Sequence, residues 1–369
     1  QKRTARMTIT LVKPIRGTHT QKFRSIKDLP PLIIGGAVFN YIYTSDPAGI
    51  PAYDLLDLAF KNGLLALDTS PYYGRSEELL GKALKQLEDK WERESYFICT
   101  KAGRIGEKEF DYSKDGVRKS VLRSLERLNT TYLDLVYMHD VEFVTEEEIY
   151  DALKELRLMK DEGLVKNIGI SGYPVKLLYR VALQCNTNYS GTIGPLDAVL
   201  SYSNGCLQNT ILYDLYQDFF DKCGIQKLMN GSILSMSLLN SRKTLDFHPA
   251  SQELKDKIAE IAEYLKVNHN NLELADLSTR FAYMTWLFGS SNKEVGFHDL
   301  TWNQNCSIVL GVSGIEELEA AISNYWLVKE NIGNVNDKDQ ILFTKVKRRL
   351  GPKHYNETWE SGLEQHNNY

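Results

Sequence analysis

From Leu32 onward the chain alternates short apolar runs with longer amphipathic stretches. The runs PLIIGGA (31–37), LLALD (64–68), YFICT (96–100), LDLVYMH (133–139), VKNIGI (165–170), LDAVLS (196–201), IQKLMNGSI (225–233) and CSIVLG (306–311) read as buried strands. Between them the pattern predicts helices over 53–62, 76–89, 115–128, 146–162, 174–184, 208–222, 251–266 and 315–331. The stretch EEEIYDALKELRLMKDE shows why. Ile149, Leu153, Leu156 and Met159 recur at three and four residues, glutamates fill the first turn where the helix dipole favours them, and Gly163 ends it.

Eight strands alternating with eight helices, without a break in composition, predict one parallel sheet. Parallel strands need crossovers, and right-handed βα repeats of this number close into a (β/α)₈ barrel, here with a C-terminal extension. An open doubly wound sheet is the rival, but it usually has fewer strands. The expected layout is a basic, flexible arm over 1–30, the barrel over 31–350 and a tail over 351–369. That tail carries Pro352 and Trp359 and is expected to lie back over the barrel, and 286–305 reads as an irregular insertion before the last strand.

Composition narrows the function. The 369 residues are 43% hydrophobic and 25% charged, with a formal net charge of −4, so nothing draws the chain to nucleic acid or to an acidic membrane. No run approaches the roughly 18 apolar residues that span a bilayer. The five cysteines, Cys99, Cys185, Cys206, Cys223 and Cys306, are scattered and lack CxxC spacing, which fits reduced thiols and a cytoplasmic location. His139 has no second histidine at ligand spacing, so no metal is expected.

The barrel makes a sharp statement about chemistry, because its active sites sit at the C-terminal ends of the strands and in the loops after them. LLALD ends in Asp68, YFICTK in Lys101 and LDLVYMH in His139, while Tyr73 follows in the loop DTSPYYGRSE. Taken alone, each has a plain structural reading: a turn cap, a solvated charge, a packed ring. Together, after three consecutive strands, they read as a site. A tyrosine titrates near ~10 in isolation. A neighbouring ammonium, itself held by a buried carboxylate, is expected to stabilise its phenolate so that it can exchange a proton with a hydroxyl or a carbonyl.

The segments DTSPYYGRSE, FICTKAGR, RSLERLNTTYLDLVYMHD and LKELRLMKDEGLVKNIGISGYP closely resemble the aldo-keto reductases. The resemblance spans most of 30–330, with four motifs in order. It implies a catalytic tetrad of Asp68, Tyr73, Lys101 and His139, with Tyr73, immediately before the glycine, as the acid–base and Tyr72 as its neighbour. It also implies a nicotinamide cofactor across the barrel mouth. That cofactor would contact Gly36, Ala37, Asp68, Ser171, Ser201, Ser232 and Leu234, with Gly311, Val312, Ser313 and Glu317 at its adenosine end. The substrate would meet Tyr73, His139 and Asn40, with Tyr72, Arg104, Asp140 and Tyr173 as further polar candidates.

Family members that use NADP typically carry a lysine or arginine in the segment IVLGVSGIEELEAAI. Here Gly311 and Glu317 stand there, so NAD is expected and NADP is less favoured. Three other positions depart from the family pattern: Gly172 follows Ser171, Ser201 replaces a glutamine, and Gly231 replaces the ring that stacks on the nicotinamide. Within the family, LVYMHDVEFV, GISGYP, DAVLSYSN and NGSILSMSLL resemble its sugar dehydrogenases. That implies oxidation of an aldose at the anomeric carbon, D-arabinose to D-arabinono-1,4-lactone, a step toward erythroascorbate. The rivals are an NADPH-dependent carbonyl reductase on the same fold and a catalytically idle regulatory barrel.

Overall fold

A computed structural model describes residues 13–15, 25–242, 244–289, 303–332, 334 and 338–367. Eight parallel strands close in sequence order: β1 (Leu32–Gly35), β2 (Ala66–Asp68), β3 (Phe97–Ala102), β4 (Leu135–His139), β5 (Ile168–Gly172), β6 (Ala198–Tyr202), β7 (Lys227–Gly231) and β8 (Cys306–Gly311), with β8 pairing back onto β1. Each overlaps one expected run, with β3 and β5 extending two residues past its end and β6 one.

Side chains alternate across a strand, so one set points into the barrel. Ile33, Ala66, Phe97, Cys99, Leu135, Tyr137, Ala198, Leu200 and Met229 form this inner core. Continuing the same alternation upward, Ala66 leads to Asp68, Phe97 and Cys99 to Lys101, and Leu135 and Tyr137 to His139. Three ionisable residues thus form the top layer of an apolar stack. Gly169 on β5 makes room for the largest member of that stack, because a Cβ there would lie 2.9 Å from Tyr137 Cδ1 and 2.3 Å from the Ala198 carbonyl oxygen. We expect Gly169→Val to destabilise the fold by about 1–3 kcal/mol through overpacking, read as a lowered midpoint in urea; an unchanged midpoint would show that the inner core can give way.

The barrel's far end is plugged by residues expected in a free arm. Ile26 and Leu29 are buried against the inner core, and Lys227 Nζ donates to the Leu29 carbonyl at 3.2 Å. Ile15 N donates to Asn62 O at 2.9 Å, and Lys13 lies 4.1 Å from the Trp326 ring centre. The described parts of the segment are therefore packed, and the barrel's structural boundary lies before residue 31. All five cysteines are buried, and none is in a disulfide.

Helices Ala52–Lys61, Ser76–Leu87, Lys114–Arg127, Glu146–Asp161, Val175–Asn186, Gln252–Asn268 and Ile315–Asn331 stand where the periodicity puts them. The expected helix 208–222 is instead two short pieces, Ile211–Asp214 and Tyr216–Asp221. The residues before them serve another purpose. Gln208 Nε2 donates to the carbonyls of His354 and Glu357, and Thr210 N donates to Asn356 Oδ1, tying down the tail. A helix at Leu274–Ala282, continued by a π-helical turn Tyr283–Leu287, was not anticipated, and it takes in the first residues of the supposed insertion. Most of that insertion, 290–302, lies outside the described residues.

The tail does lie over the barrel. Trp359 stacks on Tyr173 with ring centres 4.6 Å apart, Leu363 N donates to Glu142 O at 2.8 Å, and His366 Nε2 lies 2.8 Å from Val144 O. These contacts fasten it across the loops that follow β4 and β5, beside His139.

Candidate active site

Strand register brings Asp68 opposite Cys99, Lys101 opposite Tyr137 and His139 opposite Ser171, so the charged ends of β2, β3 and β4 share one rim. Lys101 Nζ donates to Asp68 Oδ1 at 2.5 Å and to the Thr69 carbonyl at 2.9 Å, with both side chains almost fully buried. The same ammonium lies 4.8 Å from the centre of the Tyr73 ring. Tyr73 and His139 meet edge to face at 5.6 Å, and Tyr72 packs against the same imidazole at 5.8 Å. Carboxylate, amine and imidazole are buried, and the half-buried phenol lies against them.

Electrostatics assigns each a charge. Burial opposes the charge on Lys101, but attraction to Asp68 and Tyr73 outweighs it and raises its pKa, so the ammonium persists. Burial pushes the Asp68 carboxyl up against the pull of Lys101; at 2.5 Å from a persistent ammonium we take it as ionised. Burial, then the charges of Lys101 and Arg104, hold His139 well below its usual value, so the imidazole is neutral.

Tyr73 departs from expectation. Lys101 does favour its phenolate, but burial is the larger influence, Asp68 and Asp140 reinforce it, and the pKa rises above the ordinary value. Without a further positive charge the phenol keeps its proton.

Neighbours not singled out in the sequence hold this cluster. Ser70 Oγ lies 2.9 Å from His139 Nδ1, and the Tyr112 hydroxyl donates to the His139 carbonyl at 2.6 Å. Their one sequence signal is position: Thr69 and Ser70 directly follow the β2 carboxylate. Below, Thr69 and Ser76 hydroxyls are 2.7 Å apart and Ser76 donates to Gly36 O at 2.9 Å. Gly36 is needed there because a Cβ would come within 2.6 Å of Ser76 Oγ. Beside it Ala37 is half-buried.

The remaining expected positions ring the mouth. Asn40 is buried, and its Oδ1 accepts from Ile42 N at 3.2 Å, so that oxygen shapes its own turn. Ser171 and Ser201 are buried at the ends of β5 and β6, and Asn204 Nδ2, 3.2 Å from Ser201 Oγ, also donates to the Tyr173 carbonyl at 2.6 Å. Ser232 opens a loop in which Ser232, Ser235, Met236 and Ser237 all have positive φ; its Oγ accepts from Met236 N at 2.8 Å, and Leu234 is half-buried. Gly311, Val312 and Ser313 lead into helix Ile315–Asn331. There Glu317 Oε2 accepts from Ser313 N at 2.8 Å and from its hydroxyl at 2.9 Å, so this carboxylate oxygen is occupied within the loop.

A second charged group sits above the cluster. Arg104 pairs with Asp140, stacks on Tyr72 at 4.0 Å, and donates to Tyr72 Oη at 3.3 Å and to the carbonyls of Gly106 and Glu107. Asp140 Oδ2 also lies 3.4 Å from His139 Nε2. Burial pushes the Asp140 carboxyl up, against the opposing pull of Arg104. Two residues on, Glu142 is buried with no cationic partner among the described residues; burial, then the Asp140 charge, push it up to about 8.

The model of the aldo/keto reductase family matches residues 31–340. D-arabinose 1-dehydrogenase of Saccharomyces cerevisiae is 46% identical over 338 residues, covering 92% of this chain and 95% of that protein. L-galactose dehydrogenase of Arabidopsis thaliana is 32% identical, covering 89% and 92%. Among solved structures, a putative aldo-keto reductase from Pseudomonas aeruginosa superposes with a TM-score of 0.52 at 22% identity, over 82% of this chain and 92% of its own. A thermostable aldo-keto reductase gives 0.54 at 21% identity, over 86% and 95%. No helix among the described residues is long and apolar enough to cross a membrane, and no group of histidine, cysteine or acidic side chains among them is arranged to hold a metal ion.

Proposed function

The chain belongs to the aldo/keto reductase family, whose members work with nicotinamide cofactors; from that premise we propose that it is an NAD-dependent aldose 1-dehydrogenase that oxidises D-arabinose to D-arabinono-1,4-lactone. The observation that carries the chemistry is the buried Lys101–Asp68 pair beneath Tyr73 and beside a neutral His139. The similarity to D-arabinose 1-dehydrogenase over nearly the whole chain supports the sugar.

In this reading Tyr73 takes the proton from the anomeric hydroxyl, and Lys101, kept charged by Asp68, stabilises the phenolate. His139 Nε2 hydrogen-bonds the same oxygen, while Ser70 fixes the ring through Nδ1. The cofactor, when bound, accepts the hydride. Its fit rests on polar groups in the loops that follow β6 and β7: among the described residues, the buried hydroxyl oxygens of Ser203, Ser235 and Ser237 have no hydrogen-bond partner. At the adenosine end, Gly311 and Glu317 offer no cation to a 2′-phosphate, which favours NAD.

One assay tests the reading: absorbance of the reduced cofactor formed from NAD and from NADP against a panel of aldoses. NAD with D-arabinose is expected to give the highest kcat/KM; a preference for NADP, or turnover only in the carbonyl-reducing direction, would replace this reading with the reductase. The same assay has a pH signature. A base whose pKa lies above its ordinary value becomes available only as pH rises, while His139 stays neutral throughout. Oxidation is therefore expected to rise from about pH 7 to about pH 9, approaching a decade per unit. A flat or falling profile would remove Tyr73 from the role of base.

A further inference from the structure

The tetrad accounts for the reacting oxygen but not for the charged pair above it. Asp140 is a buried carboxylate directly after the strand that carries His139, with a left-handed φ of 56° that aspartate and asparagine tolerate better than most residues. Its placement is imposed from outside. Arg104 is seated by two backbone carbonyls, by the Tyr72 hydroxyl and by that ring's face, and it presents its remaining guanidinium edge to Asp140. A guanidinium does not lose its proton, so Asp140 has a permanent counter-charge.

The carboxylate so held is 3.4 Å from Nε2 of His139, the ring nitrogen that Ser70 leaves free. Building on the aldose dehydrogenase reading above, an anomeric oxygen bound between Tyr73 and Nε2 brings its neighbours within reach of Asp140. The anomeric carbon has two flanking atoms. One is the ring oxygen, which only accepts hydrogen bonds and is repelled by a carboxylate. The other is C2, whose hydroxyl donates.

We propose that Asp140, held in place by Arg104, accepts the hydrogen bond of the sugar's 2-hydroxyl and is the residue by which this site selects 2-hydroxylated aldoses over 2-deoxy sugars. A charge-assisted hydrogen bond made by a buried carboxylate discriminates by about tenfold to a hundredfold. Such a bond also explains why the chain keeps an ion pair next to its catalytic centre, where removing the charges from water is costly.

The test compares D-arabinose with 2-deoxy-D-ribose, which differs from it only in lacking that hydroxyl, in the wild-type protein and in Asp140→Asn. Asparagine suits the backbone conformation and the shape but lacks the charge. The wild type is expected to favour D-arabinose by at least about tenfold in kcat/KM, and Asp140→Asn to reduce that ratio by about tenfold. The ratio is taken within one preparation, so incomplete folding cancels, and comparing the ratio between the two proteins cancels the intrinsic electronic effect of the missing oxygen. Equal proportional losses on both sugars would reduce Asp140 to orienting His139 and overturn the proposal, as would an unchanged ratio or a wild-type ratio near one. A wild-type protein that oxidises no aldose would instead overturn the dehydrogenase reading, and the proposal with it.

Discussion

Tyr73→Phe is expected to lower D-arabinose oxidation by between about a hundredfold and about ten-thousandfold, the range over which a positioned acid–base group accelerates proton transfer. The substitution removes one oxygen and leaves the ring between Lys101 and His139, so the fold and the mouth stay intact. Affinity for reduced cofactor, followed by fluorescence titration, should change by no more than about twofold, because the phenol acts on the substrate oxygen rather than on the dinucleotide. A mutant that keeps normal turnover would place the base elsewhere. A mutant that loses cofactor binding in step with turnover would make Tyr73 a binding residue.

Lys101→Met acts on both stability and chemistry. It leaves Asp68 buried beside an apolar chain, and breaking a buried pair on one side costs about 3–5 kcal/mol. In the wild type, Lys101 has a folded pKa above its ordinary value. Its stabilisation is therefore fully present below the unfolded value of about 10.4 and is lost only as pH rises through the higher folded value. In the variant the sign reverses. Burial alone then acts on Asp68, its carboxyl rises further, and folding is penalised at pH values above the unfolded value of about 3.9. The deficit should shrink as urea denaturation is repeated from about pH 7 down to about pH 5. Adding Asp68→Asn should restore most of the stability and none of the turnover, since the phenolate still has no ammonium. A variant whose deficit does not depend on pH would show that Asp68 is not left as a buried charge.

The sequence made the site legible through the two-residue period of strands. Ala66 to Asp68, Cys99 to Lys101 and Tyr137 to His139 are each one step up the same inward face, so locating the core located the charges. Tyr73 followed from the loop between β2 and its helix. The Arg104–Asp140 pair was visible only as two polar candidates, because their contact joins two loops separated by 36 positions in the chain. The direction of the Tyr73 shift was misjudged for a related reason. Lys101 is apparent in sequence, whereas the burial that outweighs it comes from the packed rim and the elements around it. No element was expected between 266 and the insertion at 286, although Leu274, Leu277 and Phe281 keep helical spacing and are buried in helix Leu274–Ala282. The opposite error at 208–222 has a tertiary cause, since Gln208 and Thr210 give their hydrogen bonds to the tail instead of to a helix.

The five cysteines lead to a practical consequence. Burial raises the thiol of Cys206 to about 11 and those of Cys185 and Cys223 to about 12, and it pushes Cys99 and Cys306 well up too. A thiol is nucleophilic only as its anion, so thiol-directed alkylating reagents find no ready cysteine while the chain is folded. Covalent labelling of its cysteines therefore records how often the barrel opens, and inactivation by such reagents should keep pace with breathing of the core instead of with turnover.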